Sequence, residues 1–105
     1  EAEKLLTTGL SKFPGAQSIV SRLGQMYATQ GNTAFSAKDY ATSIERYSKA
    51  IEYSADAETY TFLGFSYYYT QDKANCKQAF ENAVSLDPEI TTAYPSINQV
   101  LAELR

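Results

Sequence analysis

A near-copy of one stretch of this chain recurs 33 residues further on. Shifted by that distance, Tyr27 meets Tyr60, Gly31 meets Gly64 and Tyr47 meets Phe80, while Ala50 meets Ala83, Ile51 meets Val84 and Tyr53 meets Leu86. Matches in the same chemical classes at a fixed period mark a repeat architecture. One such unit cannot bury its own apolar face, so units must stack, and stacking generates an extended surface. Function is therefore to be sought on a surface and not in a single reactive pocket.

Within each unit the apolar spacing is helical. Ile44, Tyr47, Ala50 and Ile51 recur at intervals of three and four, as do Tyr60, Leu63, Gly64 and Tyr67, and no stretch alternates with period two long enough to make a strand. Regular breaks fall at Phe13-Pro14-Gly15, Lys38-Asp39, Ser54-Ala55-Asp56, Gln71-Asp72 and Asp87-Pro88. Asp39, Asp56 and Asp72 each stand where a helix would begin, and an aspartate there accepts a free backbone N–H. The pattern predicts an all-α chain of about six helices, over 2–12, 16–37, 40–54, 57–70, 73–86 and 91–104. Pro95 fits the last of these if Thr91 or Thr92 caps it, because a proline in the first turn lacks only an N–H that had no helical partner.

The helix over 16–37 is long for its unit. It holds two overlapping versions of one signature, Leu23-Gly24 with Tyr27 and Gly31-Asn32 with Phe35. A seven-residue offset drifts by only about 20° around a helix, so both signatures share a face. Either an insertion lengthens this helix without rotating its buried side, or the extra turns belong to the next helix and Gly31-Asn32 is a break. Helical phase leaves both open.

Composition narrows the function classes. The 105 residues make one small domain, and nine Lys and Arg are scattered among twelve Asp and Glu for a net charge of −3. Nucleic-acid binding needs a concentrated set of cations, so neither DNA nor base-by-base RNA reading fits. The apolar runs fall well short of the ~18 residues that span a bilayer. The chain opens on Glu1 in the middle of a pattern, with no signal peptide, and reads as a fragment of a longer protein. Compartment is weakly constrained on that ground, with the cytoplasm the default. Histidine is absent and Cys76 is the one cysteine. That excludes an internal disulfide, a Cys–His nucleophile and a clustered Cys/His metal site. Each carboxylate is accounted for as a cap or on a solvated face, so no catalytic residue, metal or cofactor is expected.

The unit Tyr60, Leu63-Gly64, Tyr67, Asp72-Lys73, Cys76, Phe80, Ala83 and Asp87-Pro88 resembles the tetratricopeptide repeat, a helix-turn-helix of about 34 residues. The preceding unit gives Tyr27, Gln30-Gly31, Asp39-Tyr40, Ser43, Tyr47 and Ala50, with Ala55 where proline is usual. Ala2, Leu6, Gly9 and Pro14 supply a half-unit, and 91–104 is similar to a terminal capping helix. The resemblance implies a superhelix of antiparallel helix pairs, divided as 1–15 half-repeat, 16–56 repeat with a lengthened helix, 57–90 repeat and 91–105 capping helix. It also puts Cys76 in a slot for a small buried residue. Gly31 and Gly64 would let paired helices approach closely, with Ala50 and Ala83 opposite and Tyr47, Phe80, Tyr60 and Tyr67 filling the space between.

A second stripe is left over. At 100° per residue Glu58, Thr61, Phe65, Tyr68, Tyr69 and Asp72 share a face apart from the core set. In the family the matching face lines a concave groove for a peptide or helix of a partner protein, and its counterparts one helix earlier include Ala28, Asn32, Phe35 and Ser36. The expected partner-binding residues are therefore Asn32, Phe35, Ser36, Glu58, Thr61, Phe65, Tyr68 and Tyr69. The bland alternative is that Phe65 and Tyr68 simply pack against neighbouring helices. The resemblance thus implies a non-enzymatic protein–protein interaction scaffold, for a segment that is apolar or mildly basic given Glu58 and Asp72 at the rim. The alternative is self-association through the aromatic stripe into a homo-oligomer. Co-chaperones of Hsp70 and Hsp90 hold a C-terminal carboxylate in this groove with Lys, Asn and Arg. Asn32 matches one clamp residue, but Ala28, Phe62, Thr92 and Ser96 stand where the others belong. Without cations a carboxylate loses its charge-assisted partners, so the clamp is not matched.

Overall fold

Aspartate side chains start three of the helices, as their positions demand. Asp39 accepts from the Thr42 N–H at 3.3 Å, Asp56 from Glu58 N–H at 2.8 Å, and Asp72 from Asn75 N–H at 3.3 Å. The computed structural model describes residues 16–104. The helix expected over 2–12, and the half-repeat 1–15 around it, lie outside the described residues. Six helices follow: α1 (Ala16–Ser36), α2 (Tyr40–Tyr53), α3 (Ala57–Tyr69), α4 (Lys73–Leu86), α5 (Ile90–Ala93) and α6 (Ser96–Glu103). No strand occurs among the described residues. α1 packs mainly on α2 and α3 mainly on α4, and α2 joins the two pairs through α3.

α1 resolves the ambiguity of the long segment. It is continuous for 21 residues and runs through Gly31-Asn32 unbroken, so the extra turns belong to it and not to the 14-residue α2. Both glycines face α2, as a seven-residue offset requires. A Cβ on Gly24 would meet Ser54 Cβ at 2.9 Å, and one on Gly31 would meet the Tyr47 ring at 2.7 Å. The earlier glycine of α1 thus touches the end of α2 and the later one its middle, which makes the pair antiparallel.

The second pair repeats the device. A Cβ on Gly64 would lie 2.5 Å from Phe80 Cε1, with Phe80 fully buried. Glycine is needed at both places because a large ring lies directly on the helix backbone, where no side chain fits. The turns repeat as well. Lys38 has φ 63° and Gln71 has φ 65°, left-handed values in residues that are not glycine. Around each, the same two hydrogen bonds close the helix: Asp39 N–H to Ala34 C=O at 2.8 Å with Lys38 N–H to Phe35 C=O at 3.0 Å, and Asp72 N–H to Tyr67 C=O at 2.9 Å with Gln71 N–H to Tyr68 C=O at 3.1 Å. This pairing is the Schellman motif, which satisfies carbonyls the helix end would otherwise orphan. The 33-residue period is therefore written in the backbone too.

The junctions between pairs differ in chemistry. Between α2 and α3, Ser43 and Ser66 are both fully buried and their hydroxyls lie 2.8 Å apart. Ser43 Oγ also lies 2.9 Å from Tyr40 C=O and Ser66 Oγ 2.9 Å from Phe62 C=O. At the next junction Cys76, the 33-residue counterpart of Ser43, joins an apolar cluster with Phe80, Ala83, Ile97, Val100 and Leu101. Cys76 is a sealed core residue, as its slot implied.

The last segment departs from expectation. The helix predicted over 91–104 is two short helices, α5 and α6, with a break at Tyr94 and Pro95. Proline's ring drives the preceding residue out of the helical region, and Tyr94 sits at φ −129°, ψ 77°. Neither Thr91 nor Thr92 caps a continuous helix. The Thr91 hydroxyl instead donates to Pro88 C=O at 3.4 Å, while Asp87 accepts from Glu89 N–H at 3.1 Å. α6 still buries Ile97, Val100 and Leu101 against α4, so the split re-aims the segment without releasing it.

Candidate functional site

Aromatic rings form a continuous ladder across α1, α2, α3 and the end of α5. Tyr40 stacks on Tyr69 with centroids 4.9 Å apart, and Tyr69 leans on Phe35 at 6.1 Å. Phe35 meets Phe62 edge-on at 5.7 Å, and Phe62 meets Phe65 at 6.2 Å and Tyr94 at 5.5 Å. Phe65 then meets the buried Phe80 edge-on at 5.1 Å. Rings prefer such tilted and edge-on arrangements because of their quadrupoles. One end of the ladder is thus fixed in the core, and the other emerges at Tyr68 and Tyr69, which are 38% and 54% exposed.

The eight residues singled out by sequence sort into three groups. Tyr68, Tyr69, Asn32, Ser36 and Glu58 are exposed. Phe35 and Phe65 are half-buried, each offering part of a ring while the rest packs on its neighbours. Thr61 is the correction: it is fully buried, and its hydroxyl donates to Ala57 C=O at 2.8 Å, so it has no surface to present. Phe62, Tyr94 and Glu103 were missed. Phe62 is the hub of the ladder, and it lies on the i, i+4, i+7, i+11 stripe of Glu58, Phe62, Phe65 and Tyr69, which is a signal the sequence does carry.

Polar groups line the same face. The Tyr47 ring sits in the core over Gly31, yet its hydroxyl reaches out and donates to Asn32 Oδ1. Burial, and then the nearby Glu58 carboxylate, push that phenol up to about 12. With its carbonyl oxygen engaged, Asn32 has its two amide N–H donors left for another acceptor. The Tyr94 phenol is also raised, by burial first and then by Glu58. At the other end the Tyr68 hydroxyl donates to Glu103 Oε2 at 3.3 Å, and the Glu103 charge raises it. Tyr68, Tyr69, Lys73 and Glu103 line a cavity of about 570 Å³. A second hollow of about 370 Å³ lies by Gln25, Thr29, Asn32, Asp56 and Glu58.

Burial and the Asp72 charge push the Cys76 thiol up to about 11, which disfavours the nucleophilic thiolate. No group of three His, Cys, Asp or Glu that could hold a metal occurs among the described residues. No described helix is long and apolar enough to cross a membrane. The face carries apolar rings, an amide, hydroxyls and two carboxylates.

A family model for the tetratricopeptide repeat matches residues 57–90, about a third of the chain. The match takes in α3, α4 and the turn into α5. No curated protein matches the chain. Tetratricopeptide repeats generally mediate protein–protein interactions and are typically non-enzymatic scaffolds. The matched unit shares its glycine-under-ring contact and its left-handed turn residue with the pair before it, and that unit is similar to the tetratricopeptide repeat.

Proposed function

We propose that the chain is a non-enzymatic docking module, and that the face carrying Asn32, Phe35, Ser36, Glu58, Phe62, Phe65, Tyr68 and Tyr69 receives a segment of a partner protein. The supporting observation is the ring ladder itself. It ends in two exposed tyrosines beside a cavity of about 570 Å³, although neither ring is needed to fill the core. Tyrosine suits such a role, with wide apolar area, few rotors and a hydroxyl that can exchange water for a partner. The carboxylate clamp of chaperone-binding repeats has no support, since Phe62 occupies the centre of the face with its ring.

The test is affinity capture followed by titration of the captured protein against wild type and a Tyr68→Ala, Tyr69→Ala double variant. Both side chains are exposed, so helicity should survive and dichroism will verify it. Binding should fall by at least tenfold, the scale on which loss of two exposed aromatic anchors acts. Unchanged affinity with an intact fold would remove the groove assignment. Sedimentation at several concentrations addresses self-association: a monomer throughout the range excludes a second copy as the occupant.

A further inference from the structure

Resting on the docking reading above, we infer that the occupant is a short extended segment with two cationic residues four to five positions apart and apolar side chains between them. The exposed rings on the face are flanked by carboxylates at both ends. Glu58 stands in the first turn of α3. Glu103 stands at the end of α6, within 3.3 Å of the Tyr68 hydroxyl. Phe62, Phe65 and Tyr69 follow Glu58 along α3, with Tyr94 against Phe62.

Neither carboxylate is neutralised from within. Among the described residues the one ion pair joins Arg46 and Glu45, on α2. Lys73 lines the cavity beside Glu103 but makes no ion pair with it. Of the residues assigned to the face, none is cationic. A partner that is apolar alone would leave both charges facing low-dielectric surface, which is costly, whereas a cation at each end pairs them. Exposed tyrosine rings beside Glu103 add a cation–π surface for the same guest.

Geometry sets the spacing. Glu58 and Tyr68 are ten residues apart on one helix, a rise of about 15 Å. An extended chain covers that distance in about four to five residues at ~3.3 Å each. Such a chain also has unpaired backbone groups that need partners. The Asn32 amide donors, in the hollow beside Glu58, and the exposed Tyr69 hydroxyl, in the cavity beside Glu103, are available to meet them. The two ends are chemically alike, so spacing is the specificity element and polarity is not.

Selection of random octapeptides displayed on phage against the whole 105-residue chain tests this directly. The expected result is enrichment of Lys or Arg at i and i+4 or i+5, with aromatic or branched aliphatic residues between. Synthetic versions of the winners should weaken roughly two- to fivefold with Glu58→Gln or Glu103→Gln, and should weaken in high salt. Winners lost to the Tyr68→Ala, Tyr69→Ala double variant but lacking spaced cations overturn this inference and leave the docking face standing. Winners indifferent to the double variant overturn the docking face and the inference with it. A selection that yields no binder counts against both.

Discussion

Gly64→Ala should destabilise the protein by about 2 kcal/mol, and the number follows from one contact. The added methyl would sit 2.5 Å from Phe80 Cε1 and 2.6 Å from Cδ1, about an ångström inside the optimal carbon–carbon separation. Phe80 cannot retreat, because it is fully buried among Cys76, Ala83 and Ile97 and is met edge-on by Phe65. Either α3 and α4 part or the ring leaves its rotamer, and overpacking of this kind costs about 1–3 kcal/mol or more. Alanine returns about 1 kcal/mol because glycine is a poor helix former. A steric cost near the top of its range leaves the net figure of about 2 kcal/mol, or a fall in Tm of roughly 8–16 °C for a domain of this size. Urea unfolding followed by helical dichroism measures it. Gly24→Ala is the control. Its methyl would meet Ser54 Cβ at 2.9 Å, but Ser54 lies on an exposed connection that can yield, so the propensity gain should cancel most of the cost. In a Phe80→Leu background the Gly64→Ala penalty should fall below about 1 kcal/mol, since the offending ring carbons are gone. Equal stability of Gly64→Ala and wild type would refute the argument that a ring on the backbone is what requires glycine.

Three further outcomes can be checked in the same way. Gln71→Gly should stabilise by up to about 1 kcal/mol in urea unfolding, because a left-handed residue with a Cβ carries strain that glycine avoids; Lys38→Gly should act alike. Alkaline unfolding should begin near pH 9, since the thiol held at about 11 and the phenol held at about 12 keep their protons in the folded state after the unfolded chain has released them. Their stabilising contributions are whole below the unfolded values and vanish as pH climbs through the folded ones, so Cys76→Ala should move the onset toward pH 10 in dichroism-monitored titrations. Finally, Ser43→Ala or Ser66→Ala alone should each cost about 1 kcal/mol in urea unfolding, and the double substitution less than their sum, because either change removes the same bond across the seam while the remaining hydroxyl keeps its own-helix carbonyl.

Much of the fold was readable before any coordinates. The period, the aspartate caps, the glycines under Tyr47 and Phe80 and the sealed Cys76 all arise from local chemistry or from size classes that recur at fixed offsets. Pro95 was misjudged. Its own missing N–H is harmless in a first turn, but its effect on Tyr94 is not, and the preceding residue settles the outcome. The left-handed Lys38 and Gln71 give no signal either, because their residue types show no preference for that conformation. On the candidate face, a helical wheel placed Thr61 and Phe62 only 100° apart on the boundary between buried and open. Their fates were decided by what packs on α3: Thr61 is covered entirely and satisfies its hydroxyl on its own helix, while Phe62 becomes the junction of three other helices' rings. Glu103 could not be placed on the face at all without knowing how the proline break redirects α6.

Units that resemble one another risk assembling in the wrong order, and the unlike seams between these pairs guard against it. One seam is closed by the hydroxyls of Ser43 and Ser66, the other by the sulfur of Cys76 in a cluster with Val100. Were α2 to dock on the proline-broken segment in place of α3, Ser43 would lose the Ser66 oxygen and keep only its own-helix bond to Tyr40 C=O. The loss of that one buried bond costs about 1 kcal/mol, which still counts in the stability of a chain this short. Two hydroxyls thus label which neighbour is the right one and discourage both misthreading and the exchange of arms between molecules.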